Sequence, residues 1–80
     1  MNSDRITRAD LERIAATVSD SLPLGQVISA QGRNGYIGLD HYDDAAMLDT
    51  LFVGTRRECY TYLQGMRRAQ LLAPRRAGDL

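Results

Sequence analysis

The dipeptide Asn34-Gly35, inside "QGRNGYIG" at residues 31–38, constrains the fold more than any other feature of the chain. Both central positions of a two-residue type I′ turn need a positive φ, which asparagine and glycine tolerate and most residues do not. With the turn placed there, Gly32 faces Ile37, Ala30 faces Leu39 and Ile28 faces His41 on one side of a ribbon. Arg33 with Tyr36, Gln31 with Gly38 and Ser29 with Asp40 share the other side. The first set is apolar and the second mostly polar, and a slip of one residue would mix them.

The competing use for such glycines is a phosphate cradle. "GRNG" resembles the Gly-x-x-Gly loop of KH domains, with Arg33 as its basic residue, but that loop joins two helices. Here "YIGLD" follows with strand composition and alternation, and a dinucleotide-binding loop would likewise open a helix. The glycines turn the chain.

A second turn at "DDAA", residues 43–46, returns the chain as "MLDTLFV", residues 47–53. With an even number of loop residues, Leu48, Thr50 and Phe52 join Ile28, Ala30, Ile37 and Leu39 on the inner face. The opposite face then gathers Val27, Tyr36, Tyr42, Met47, Leu51 and Val53 around Gly38, more apolar surface than a solvated sheet normally shows. Either the helices divide between the two faces and cover it, or it docks a second subunit or another protein. The candidate partner or dimer interface is therefore Tyr36, Tyr42, Met47, Leu51 and Val53.

Helices flank this sheet segment. Leu11, Ile14, Ala15, Val18 and Leu22 recur at helical spacing from Thr7 to about Leu22, Thr7 and Asp10 supply a capping signature, and "LPLG" stops the helix. "TRRE" at residues 55–58 is a capping box opening a second helix that runs to about Leu72. Its buried stripe is Cys59, Tyr62, Leu63, Met66 and Gln70; Gly65, mid-helix, costs about 1 kcal/mol relative to alanine unless something packs closely against it. Pro74 and "RRAGDL" read as a flexible basic tail. The expected fold is α+β, in the order helix, three-stranded antiparallel meander, helix, with one domain over residues 1–73 and the tail over 74–80.

A chain of 80 residues has a core that rarely supplies more than about 3–5 kcal/mol. Its single cysteine, Cys59, can form no internal disulfide, which points to a reducing, cytoplasmic setting; "MNSDRITRAD" lacks the apolar centre of a leader, and no run is long enough for a membrane span. Net charge is zero but unevenly spread: residues 1–52 carry four arginines against eight acids, −4, and residues 53–80 six arginines against two acids, +4. A chain without net charge lacks the self-repulsion that keeps molecules apart, which favours association. All ten basic residues are arginine, each a planar fork suited to carboxylates, phosphates and aromatic faces.

Catalytic and metal chemistry find little purchase. "DHYDD" sets His41 among Asp40, Asp43 and Asp44, yet on a strand Asp40 and His41 point to opposite faces, and aspartates are favoured in turns for their own backbone bonds. Cys59 reads as a buried structural thiol. No cofactor and no enzyme activity are expected.

The helix–three strands–helix order, with a last helix opening as "GTRREC", resembles the double-stranded RNA-binding domain. Gly54, Thr55, Arg56, Arg57 and Cys59 match the start of that family's final helix, where a Gly, a Ser or Thr and consecutive basic residues grip phosphates across a groove. Tyr60 falls where the family has another basic residue, and "GRNG" lacks the proline and histidine of its second contact loop. The resemblance implies nucleic-acid contacts by Arg56 and Arg57, joined by Arg67, Arg68 and the basic tail; those arginines serve equally on acidic partners or as a solvated face. With as many acids as bases, protein contact is the favoured expectation: a non-enzymatic interaction module, self-associating as a homodimer through the outer sheet face. In size and architecture it resembles small accessory proteins of phages and mobile elements, including anti-CRISPR inhibitors, which cover a host surface.

Overall fold

The computed structural model describes the backbone of residues 5–78 and the side chains of residues 5–73. Helix α1 spans Arg8–Asp20, strands β1, β2 and β3 span Gln26–Arg33, Tyr36–Asp43 and Ala46–Gly54, and helix α2 spans Arg56–Gly78. The strands form one antiparallel sheet in sequence order, the α+β meander expected from the sequence.

Thr7 starts α1 with a full capping box: its hydroxyl accepts from the Asp10 N–H at 3.0 Å, and the Asp10 carboxylate accepts from the Thr7 N–H at 3.0 Å. The Leu11, Ala15, Val18 stripe is buried. Thr55 and Glu58 repeat the device at α2, with bonds of 3.1 and 2.8 Å. Leu11, Ala15 and Val18 meet Cys59 and Leu63 of α2 and Ile28, Ala30 and Leu39 of the sheet in one buried cluster. Both helices therefore lie on the same face of the sheet. The division of helices between the two faces does not occur, and among the described residues no helix covers the other face.

The first hairpin has the expected turn and register. Asn34 and Gly35 take φ of +49° and +87°, and the pairs run from Arg33–Tyr36 through Ala30–Leu39 to Ile28–His41. The second hairpin closes on a two-residue loop as well, Asp44-Ala45, with φ of +52° and +70° and Asp43 opposite Ala46. Beyond it the alternation is broken twice. Tyr42 pairs with Met47 but His41 with Asp49, and Asp40 pairs with Thr50 but Leu39 with Phe52, so Leu48 and Leu51 are extra residues in β3. Each bulge reverses side-chain parity and the second restores it.

Met47, Val53 and Phe52 thus fall on their expected faces, while the residues between the bulges do not. Thr50 joins the open face beside Asp40 instead of the inner one, and Leu48 is 54% exposed instead of buried. Leu51, expected on the open face, is half-buried and packs against the core cluster. Sequence alternation cannot register a bulge made by ordinary residues, so it assigns these three positions to the wrong side.

Helix α2 also departs from expectation by running past Pro74 to Gly78 instead of ending near Leu72. A proline removes one helical hydrogen bond, but extending an anchored helix avoids the cost of a new nucleus. The flexible tail expected over 74–80 lies otherwise outside the described residues. Nothing approaches within 4 Å of a Cβ built on Gly65, so close packing does not explain that glycine.

Candidate interaction surface

The open face is built by β1 and β2 and the two ends of β3. Val27, Tyr36, Met47 and Val53 expose 46%, 54%, 51% and 49% of their surface, a high share for apolar and aromatic side chains on a sheet. Tyr42, opposite Val27 and Met47, is half-buried. Four of the five expected interface residues thus stand on this face, and Leu51 turns to the core.

At the centre of the face lies a polar seat. Asp40 is 1% exposed although no helix covers it. The Arg33 guanidinium pairs with Asp40 Oδ2, and the Thr50 hydroxyl donates to Asp40 Oδ1 at 2.8 Å. Arg33 reaches that position by lying across Gly38: a Cβ added to Gly38 would come within 2.8 Å of Arg33 Cδ. Its Nε is shielded from solvent and has no hydrogen-bond partner. A buried carboxylate needs a counter-charge and hydrogen bonds, and this one receives both from its own sheet. Arg33, Gly38, Asp40 and Thr50 are absent from the sequence-predicted interface. The hairpin register already set Arg33, Gly38 and Asp40 on one face; Thr50 was hidden by the bulge at Leu48.

The two edges of the sheet differ. Along β1, the Ile28 N–H donates to Ser19 Oγ at 2.8 Å, and Arg8 Nη2 donates to the Ala30 carbonyl at 3.1 Å, so α1 occupies backbone groups that a neighbouring strand would use. Edge β3 is instead interrupted by its two bulges, a recognised protection against strand addition.

The arginines of α2 are partly engaged within the chain. Arg56 donates to the Ile6 carbonyl at 3.0 Å and Arg67 to the Ser21 hydroxyl at 3.0 Å, tying α2 to both ends of α1. Arg57 lines an apolar groove with Glu58 and Thr61 beside the Phe52–Tyr62 stack, whose ring centroids are 4.9 Å apart, and Arg68 is exposed.

His41 Nε2 meets Gln26 Oε1 at 2.8 Å and its Nδ1 lies 3.9 Å from Asp49. Asp44, in the second turn, donates its N–H to the carbonyl of Gly25, the residue before β1, at 2.9 Å. Among the described residues, no group of three or more His, Cys, Asp or Glu side chains is arranged to hold a metal. Cys59 is fully buried, points its thiol at the Ile37 carbonyl at 3.3 Å, and has its pKa raised by burial, the opposite of an activated nucleophile. No described helix is long and apolar enough to cross a membrane. No family model matches the chain, and neither a curated protein nor a solved structure does.

Proposed function

We propose that this protein is a small non-enzymatic interaction module that covers a partner's surface with its open sheet face, and that its first partner is a second copy of itself. The carrying observation is the face that neither helix covers, on which Val27, Tyr36, Met47 and Val53 are about half exposed around a neutralised polar centre. Chains of this size have thin stability margins, and burying such a surface adds to them. The raised thiol pKa of Cys59 and the Gln26 contact of His41 support a non-enzymatic reading. A single small α+β domain working by coverage is the format of phage and mobile-element accessory proteins, and a reduced, buried Cys59 suits a cytoplasmic setting.

The rival reading is phosphate binding by Arg56, Arg57, Arg67 and Arg68. Its support is the capping box at Thr55 and Glu58, which puts Arg56 and Arg57 in the first turn of α2, where backbone N–H groups favour anions. Light scattering after size exclusion, at low and moderate salt and with duplex RNA added, separates the two. The module reading predicts a dimer whose mass RNA does not change. A complex with RNA that forms at low salt and fades with added salt, as counterion release requires, overturns it.

A further inference from the structure

We infer that two copies pack open face to open face about a two-fold axis, as a sheet-on-sheet contact and not by joining edges, and that the Arg33–Asp40 pair is what lets the face meet itself. The inference rests on the interaction-module reading and specifies its geometry. A three-stranded sheet offers a partner two edges and one free face. The β1 edge is occupied by Ser19 and Arg8, and the β3 edge is broken at Leu48 and Leu51. That leaves the face.

Charge selects the occupant. In a two-fold contact the same patch appears on both sides, so any net charge on it opposes itself. The sheet segment, residues 26–54, holds four aspartates and one arginine, −3, and α2 is strongly basic. A basic partner would be drawn by that acidity only if it lay on the open face. It does not: by register Asp43 and Asp49 belong to the helix side, and Asp44 sits in the turn beside Gly25. Among the described residues, the charged groups on the open face are Arg33 and Asp40, and they cancel. The patch is therefore neutral within a chain whose other surfaces are charged, the composition that can be apposed to its own copy without repulsion. Two such sheets would stack about 10 Å apart.

Sedimentation velocity over a concentration series tests this with four variants, each checked for fold by circular dichroism. Val53→Glu puts a charge on an exposed face position and is expected to raise the dimer dissociation constant at least about tenfold. Asp40→Asn leaves one uncompensated arginine on each face. It is expected to weaken the dimer by a similar factor, with partial recovery as salt screens the repulsion. The double variant Arg33→Gln/Asp40→Asn restores neutrality and is expected to return to within about threefold of the parent. Leu48→Lys, which charges the β3 edge, should leave the constant unchanged. A monomer at every concentration overturns the inference, as does a dimer lost with Leu48→Lys but kept with Val53→Glu. In the second case the module reading survives with a different contact, whereas an RNA complex removes that reading itself.

Discussion

The two faces of this sheet are made from the same three strands and are stabilised by different physics. The covered face carries Ile28, Ala30 and Leu39, all buried against α1 and α2, and burying each larger aliphatic side chain contributes about 1.5–3 kcal/mol. The open face buries a charged residue instead, Asp40, under an arginine laid flat over a glycine. A face with helices on it needs only apolar side chains of the right size. One without them has to build its own cover, and here Arg33 does so with its aliphatic stem and its charge together. The comparison teaches that helix coverage and solvent exposure are separate matters on a small sheet.

The largest effect expected is on the covered face. Leu39 is fully buried in the core cluster under the helix layer, and Leu39→Ala removes its contacts and leaves a cavity, a loss of about 2–5 kcal/mol. That equals the whole expected margin of such a core, so urea titration followed by circular dichroism should find the variant largely unfolded. On the open face, Asp40→Ala strands Arg33 and removes the acceptor of the Thr50 hydroxyl. Because the arginine is 39% exposed and can rehydrate, the expected cost is smaller, about 1–2 kcal/mol. If the Asp40 variant proved as damaging as the Leu39 one, the distinction between an essential covered face and a self-covered open face would fail.

Much of this was legible beforehand, and the rest was hidden for identifiable reasons. Asn34-Gly35 announced a turn whose geometry only a few residues adopt, and the register followed from it residue by residue. The capping boxes at Thr7 and Thr55 announced both helix starts. The bulges at Leu48 and Leu51 are made of leucine, which carries no bulge signal, so Thr50 and Leu51 exchanged faces unseen. Which face the helices choose is a tertiary matter: alternation marked the Ile28–Leu39 side as apolar but could not say that the Tyr36–Val53 side would go without a helix. For the same reason the register that sets Arg33 and Asp40 on one face does not show that the arginine covers the carboxylate.

Two substitutions away from both faces set the scale for reading these effects, and both are expected to stabilise. Gly65→Ala fills open space on α2 and supplies helix propensity, a gain of about 1 kcal/mol. Ala45→Gly relieves a residue with a side chain held at φ +70° in the second turn, with an expected gain of about 0.5–1 kcal/mol. A loss on Gly65→Ala would mean that something covers that side of α2 in solution, and the helix layer would then be an interface competing with the open face. A loss on Ala45→Gly would mean that the second hairpin does not hold the type I′ turn on which the register of Met47 opposite Tyr42 depends.

The smallest effect belongs to the cap that fixes where α1 begins over the covered face. The Asp10 carboxylate accepts from the Thr7 backbone N–H, bonds within the capping box and meets Arg13, and these contacts hold its pKa below the ordinary aspartate value of 3.8. A carboxyl whose pKa is lower folded than unfolded stabilises the fold fully above the unfolded value, and the contribution fades as pH falls through the folded one. Asp10→Asn should therefore be less stable than the parent near about pH 6, with the gap narrowing as pH falls through the lowered folded value, below which both carry a neutral side chain. Urea midpoints for the pair at several pH values measure that gap. Narrowing at low pH would show that the cap acts through its charge, whereas a gap of constant size would show that Asp10 acts through its hydrogen-bonding shape alone.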